Sequence, residues 1–401
     1  MKNLKLAIAL LAIVVISQNI SPIQAQTIPK IKIGSGEDYI QFSGALRFNY
    51  IYSNWQKQNK KKGGEFGYEV FYLGLDGLYK KILFSMQYRI YGRNLGGGML
   101  STGYTGYKFN DRHQIQLGLN AVPFGPLPYN SHNWFLSINY YLGLENDADM
   151  GVKYSYTGKD WDVDLAFYKN SDLLDFNSES NTNTSRFSYD VGGRNKETNQ
   201  GNLRVIRKWG KQAKQQLGVS VLTGGIYNID TKRMGFRATA GIHYNLDYKN
   251  WNLKLMALSY KINPRPAKTI VDSDGNPIAN PDSDGEIVTL AAYDAPYNIA
   301  SAAEVYTAGL SYKIPIDKGP FGAITIYNDF GYLHKHEKSF NDSFQNVTGA
   351  SFEIGPVLIF LDNALGKNHP WLGPEWTHAF ASGGSQNTWN YRFNLNIGYY
   401  F

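Results

Sequence analysis

The 401-residue chain contains no cysteine, and only seven histidines and six methionines. Without cysteine there is no disulfide framework, no thiolate metal site and no thiol nucleophile. Beyond its first residues the chain also lacks any apolar run approaching the ~20 residues of a membrane helix. The longest later run, 354–361, is interrupted by Pro356. A phosphate-cradling loop is missing too, because Gly96-Gly97-Gly98 is followed by Met99-Leu100 rather than by Lys and Ser or Thr. Among the histidines only His334 and His336 stand close together, too few ligands for zinc. No spacing singles out a Ser–His–acid set. The expectation is a chain that is not an enzyme, with no cofactor and no nucleic-acid partner.

What the chain does have is aromatic residues, 15% of the total and dominated by 30 Tyr, together with 41 Gly. High Tyr and Gly without a helical span is the composition of a β-barrel with aromatic girdles and a wet interior. The last residues show the pattern most clearly. Trp389, Tyr391, Phe393, Leu395, Ile397, Tyr399 and Phe401 fall on one face, and Asn390, Arg392, Asn394, Asn396 and Gly398 on the other. A period of two means a strand, since successive side chains point to opposite sides of the pleat. So many aromatics on a soluble terminal strand would leave a sticky edge. In an outer-membrane barrel the same strand closes against the first, aromatics toward lipid. Phe401 also matches the terminal signal favoured by the bacterial barrel-assembly machinery.

At the other end, Lys2 and Lys5 precede an apolar run over 6–16 and a small residue, Ala25. That order reads as a secretory signal peptide over 1–25, cleaved to leave Gln26 first. Residues 26–38 then form a short periplasmic segment, and 39–401 the barrel. Two of the formal +7 charges leave with the leader, so the remaining basic bias is mild.

Alternating segments recur at 40–52, 82–91, 113–120, 150–156, 161–168, 217–223, 234–245, 251–257, 306–313, 321–332 and 348–360. Less regular ones lie at 68–76, 99–107, 202–209 and 371–380. With the terminal strand the total is about sixteen. The links alternate in length. Tight ones fall at 77–81, 108–112, 157–160, 210–214, 246–250 and 314–320. Long ones fall at 53–67, 121–149, 169–201, 262–302 and 333–346. Short periplasmic turns and long extracellular loops define a transmembrane antiparallel barrel, and an even strand number needs one more strand within 363–388. The expected place is the outer membrane of a Gram-negative bacterium.

Val122-Pro123-Phe124-Gly125, Ile324-Thr325-Ile326-Tyr327-Asn328-Asp329, Gly366-Lys367-Asn368 and the final Asn394-Leu395-Asn396-Ile397-Gly398-Tyr399-Tyr400-Phe401 resemble the phosphate-selective porin O and P family. The resemblance implies a sixteen-stranded, trimeric porin, some members of which select phosphate through a ladder of arginines and lysines. Where many members continue with Tyr-Ser after the Tyr-Asn-Asp element, this chain has Phe330-Gly331. The ladder does not map onto this chain residue by residue, so phosphate specificity does not carry over.

A diffusion pore needs a polar lumen, a constriction and a charge pattern rather than a catalytic group. Faces read as inward carry Arg47, Arg89, Lys153, Arg204, Lys208, Arg237, Lys254, Lys313 and Arg392, against the acids Asp76, Asp162, Asp164, Asp329 and Glu353. Such a surplus suits small hydrophilic anions, and the resemblance adds phosphate as one candidate among them. The alternative is that opposite charges simply pair across strands. The stretch 123–149 is the constriction candidate. It opens with Pro123, Phe124, Pro126 and Pro128 and continues through Tyr129, His132, Trp134 and Phe135, too apolar for an exposed loop. Packing against a neighbouring subunit or over the mouth is the alternative, but a wide barrel commonly needs an inward loop to narrow its channel.

Two acidic turns, Asp272-Ser273-Asp274-Gly275 and Asp282-Ser283-Asp284-Gly285, offer a weak calcium site or plain solvated turns. The Lys60-Lys61-Lys62 run could meet lipopolysaccharide phosphates. Two rivals remain. One is a barrel carrier for hydrophobic substrates, for which the few residues before the first strand leave no hatch. The other is a non-conducting adhesin or scaffold.

Overall fold

The computed structural model describes residues 30–33, 36–174, 179–271, 276–280 and 282–401. The expected leader, Gln26, Asp272 and Asp274 lie outside them. Sixteen long strands form the wall. They are β1 (Tyr39–Ser53), β2 (Glu65–Tyr79), β3 (Ile82–Tyr91) and β4 (Gly98–Lys108), then β5 (His113–Ala121), β6 (Ala148–Thr157), β7 (Trp161–Asn170) and β8 (Asn195–Trp209). The second half is β9 (Ala213–Asn228), β10 (Arg233–Tyr248), β11 (Trp251–Asn263) and β12 (Ala302–Lys318), then β13 (Phe321–Lys335), β14 (Ser343–Ile354), β15 (Val357–Lys367) and β16 (Trp389–Tyr400). Each strand pairs antiparallel with the next, and β16 closes on β1 through Ala45 opposite Tyr400 and Ser53 opposite Arg392. Ile31–Lys32 adds a small pairing at Tyr39–Ile40.

Closure removes every unpaired edge, the condition for strands to cross a bilayer. The outer face carries what lipid requires. Leu73, Met86, Leu117, Leu165, Val219, Ile242, Leu310 and Ile326 stand exposed in a mid-height aliphatic belt. Beside the tight turns the exposed residues become aromatic: Tyr79, Tyr107, Trp161, Trp209, Trp251 and Phe321. A second girdle, with Phe66, Tyr68, Tyr306, Phe330 and Trp389, rings the other end. Amphipathic rings settle at the two membrane–water interfaces, so the paired girdles mark the membrane thickness. This is the wall of an outer-membrane β-barrel, with the tight turns facing the periplasm.

The strand number matches the sequence, but two of its segments are reassigned. The run 348–360 is not one strand. It is the end of β14 and the start of β15, reversing at Gly355 (φ 53°) and Pro356. Proline donates no ladder hydrogen bond and a positive φ suits glycine, so this pair makes a turn. Conversely, 371–380 is not wall. It belongs to the loop between β15 and β16, with a single helical turn at Pro370–Leu372. The loop between β1 and β2 holds a short helix, α1 (Lys57–Lys62), ended by Gly63 in the left-handed region. Lys60, Lys61 and Lys62 fill its last turn, where cations suit the carbonyl-rich end.

At the loop end, the connections after β5, β7, β11 and β15 converge. Asp190–Val191, Ile287–Ala291 and Tyr297–Ala300 make a three-stranded sheet there. Its residues Val191, Leu290, Tyr297 and Ile299 are buried in one cluster with Phe187, Tyr189, Phe380 and inward-facing wall residues Val70, Tyr91, Leu222, Ile226, Tyr260 and Val305. The interior at this end therefore holds a packed apolar cluster.

Candidate functional site

The connection 122–147 folds back inside the barrel and meets inward side chains of the wall from β8 to β15. Arg204 Nε donates to Gly125 O at 2.7 Å, and Gly125 N donates to Ser220 Oγ at 3.0 Å. Asn130 Nδ2 reaches Thr307 Oγ1 at 2.8 Å, and Lys254 Nζ reaches the carbonyls of Tyr129 and Ser131, each at 3.0 Å. Gln345 Nε2 donates to Leu136 O at 2.9 Å.

Two wall carboxylates latch the loop's far side. Asp329 accepts the His132 backbone N–H at 2.8 Å, the His132 ring Nδ1 at 2.8 Å and the Asn133 amide at 2.7 Å. His132 Nε2 lies 2.6 Å from Asn252 Oδ1, so the ring is held from both sides. Asp362 accepts from Tyr327 at 2.7 Å and from Trp134 N at 3.4 Å. Within the loop, Glu145 accepts from the backbone N–H groups of Asn130 (2.8 Å) and Ser137 (3.1 Å) and from the Ser137 hydroxyl. Burial raises the Glu145 carboxyl and these donors oppose the shift. Burial likewise holds the His369 ring neutral, down to about 3, where it meets Tyr141 and Phe380 edge-on.

Phe124 and Phe135 are buried, and Trp134 packs edge-on against Phe135 with ring centres 5.1 Å apart. Pro123 is buried beside Phe124, while Tyr129 stays exposed. The loop's apolar residues thus pack on the wall and on one another. Sequence reasoning missed Glu145 and Asp362 because no local pattern signals a carboxylate that caps a loop. Asp329 was visible as an inward acid, but its partners lie about two hundred positions away.

The nine basic residues divide into two groups. Five have carboxylate partners: Arg47–Glu69 (2.5 Å), Arg204–Asp164 (2.9 Å), Lys208–Asp162 (2.7 Å), Arg237–Glu197 (2.6 Å) and Lys313–Glu353 (2.8 Å). The other four make no ion pair among the described residues. Lys153 donates to Ala121 O at 2.7 Å, and Lys254 holds the loop carbonyls. Arg392 donates to Trp371 O at 3.4 Å and covers the Phe135 ring. Arg89 lies over the rings of Tyr72 (5.2 Å) and Phe187 (4.5 Å) and donates to Gln87 at 2.7 Å. Arg89 on β3 and Lys254 on β11 are half-buried on well-separated parts of the wall.

Phe401 exchanges both backbone hydrogen bonds with Gly44, at 2.8 and 3.0 Å. Its ring occupies the space that a Cβ at residue 44 would need. In the acidic turns, Asp284 Oδ1 accepts Glu286 N at 3.0 Å and Asn280 Oδ1 accepts Asp282 N at 3.1 Å, the self-capping of ordinary turns. At the mouth, a polar cavity of about 180 Å³ is lined by Asn368, His369, Glu375, Gln386, Asn387 and Asn390 among others.

Solved structures share this fold over most of the chain. The anion-selective porin from Comamonas acidovorans is 12% identical, with a TM-score of 0.55 over 91% of this chain and 100% of that one. The outer membrane channel DcaP of Acinetobacter baumannii is 10% identical, with a TM-score of 0.54 over 92% and 99%. OprB of Pseudomonas putida, at 10% identity, gives 0.55 over 90% and 94%. Identity this low establishes the shared fold. No protein-family model matches the chain, and no curated protein matches it in sequence. The resemblance to the O and P family therefore rests on the quoted motifs.

Proposed function

We propose that this chain, after removal of residues 1–25, is a porin of the Gram-negative outer membrane that passes small hydrophilic solutes by diffusion. The observation that carries this reading is the 122–147 loop latched to the inner wall inside a barrel of sixteen strands. A barrel this wide leaves an aqueous interior unless something narrows it. Anions, phosphate among them, are the favoured solutes. Arg89 and Lys254, which make no ion pair among the described residues, project a field that a low-dielectric wall focuses on the passage, whereas the five paired cations contribute little. The trimer implied by the O and P resemblance, contact of Lys60–Lys62 with lipopolysaccharide, and recognition of Phe401 by the assembly machinery belong to the same proposal.

A second reading, a non-conducting scaffold, is favoured by the apolar cluster that spans the loop end. Single-channel recording in planar bilayers separates the two. The porin reading expects discrete current steps, and a reversal potential in a salt gradient that reports modest anion preference. Arg89→Glu should move that potential toward cations. Absence of current supports the scaffold. A wild-type cation preference, or a potential unmoved by Arg89→Glu, removes the anion assignment.

A further inference from the structure

Beneath the loop-end cluster lies a concentration of buried charge that the pore does not use. Asp147 ends the inward loop, Asp149 is the second residue of β6, and Asp190 lies in the loop sheet opposite Ala291. One oxygen of each lies within 4.8 Å of the others. All three are at most 5% exposed. Two further buried carboxylates, Asp172 and Glu197, stand nearby, and the cations facing the group are Arg186 and Arg237. Arg186 pairs with Asp172 and Asp190, and Arg237 pairs with Glu197. Five carboxylates thus meet two guanidiniums, and uncompensated buried charge of this kind is strongly unfavourable.

The hydrogen bonding points the same way. Neither oxygen of Asp147 accepts a well-formed hydrogen bond, its nearest donors being the Ser188 hydroxyl and the Ala148 N–H. Asp149 Oδ1 and Asp190 Oδ1 are also unpartnered. Beside them, Gln200 Nε2 donates to Asp149 Oδ2 at 3.0 Å, while the Gln200 amide oxygen, on a side chain only 3% exposed, has no donor. A proton added to one carboxyl group would satisfy one of these oxygens. A hard cation satisfies carboxylate and neutral amide oxygens together. Ligands about 2.3–2.6 Å from one Ca²⁺ lie up to about 5 Å apart, which accommodates the observed spacing.

We infer that Asp147, Asp149 and Asp190, with the Gln200 amide oxygen, form a calcium site that ties the inward loop to β6, β8 and the loop sheet. Buried all-oxygen donors suit Ca²⁺ better than Mg²⁺, which keeps its own waters. The site is distinct from the acidic turns at 272–274 and 282–284, and it does not depend on conduction.

The test uses the refolded full chain, stripped with chelator and titrated with Tb³⁺, then with Ca²⁺. Tyr168, paired with Gln200 across β7 and β8, and Tyr189, adjacent to Asp190, are near enough to sensitise Tb³⁺ emission. Expected are tyrosine-sensitised emission that Ca²⁺ quenches and Mg²⁺ does not, and a thermal midpoint raised by a few degrees when Ca²⁺ is about 100-fold above its Kd. Asp147→Asn with Asp149→Asn should abolish both, whereas Asp282→Asn with Asp284→Asn should leave both intact. If the first variant fails to fold, wild-type emission together with retention in the turn variant decides the question. No sensitised emission, emission surviving Asp147→Asn with Asp149→Asn, or its loss in the turn variant would overturn the site.

Discussion

On β9 the inner face changes character along a single strand. Gln216, near the tight turn, is half-buried and borders Lys208 on β8 and Asn245 on β10, all polar. Leu222, farther along the same face, is buried in the apolar cluster with Ile226. The contrast repeats around the wall. Asp76, Asp162, Asp247, Lys313 and Glu353 face inward near the turns and keep solvent exposure, while Val70, Tyr260, Ile262, Val305 and Leu333 face inward near the loops and are buried. One continuous strand therefore serves as channel wall at one end and as core-forming sheet at the other. The loops that fold inward determine where the change occurs.

The largest effect should come from cutting the loop-end core. Leu222→Ala removes buried volume and should cost about 2–5 kcal/mol. Gln216→Ala, on the same face of the same strand, should stay within about 0.5 kcal/mol. Urea unfolding midpoints of the refolded barrels compare them directly. Equal costs would mean that the two halves are packed alike.

A smaller effect is expected at the boundary between the halves, where Asp329 holds the inward loop. Asp329→Asn keeps the shape and one acceptor oxygen, so it weakens rather than removes the three hydrogen bonds, at a total cost of about 1.5–3 kcal/mol. Amide exchange across 129–137 should then accelerate at least about tenfold, with exchange in the β13 ladder unchanged. Unaltered exchange in the loop would show that its apolar packing alone holds it.

The same contrast explains what could be read from the sequence. Near the turns one face meets lipid and the other water, so period-two alternation is clear and segments such as 82–91 coincide with a whole strand. Near the loops the inner face turns apolar while the outer face takes polar residues such as Ser259 and Lys261, so the alternation reverses phase. For that reason 251–257 captures only the first part of β11, which continues through Leu258, Tyr260 and Ile262 into the core. It is also why 217–223 falls short at the loop end of β9. The hairpin at Gly355–Pro356 was hidden differently: Ile354 and Val357 are both apolar, so the segments on either side of Pro356 read as one strand. At the candidate site, the basic residues were legible as inward by parity, but their ion pairs were not. Parity assigns a face, whereas pairing depends on register between strands, as for Arg204 opposite Asp164.

The absence of cysteine from the chain gives the wet-and-dry contrast a direct test. Gln216→Cys and Leu222→Cys each introduce a single thiol on the inner face of β9, and both can be treated in the folded state with a water-soluble maleimide. The account predicts rapid labelling at residue 216 and protection at residue 222 until the barrel is unfolded. Equal labelling rates at the two positions would mean that water fills the loop end as freely as the turn end, which would contradict a core built from the inward loops.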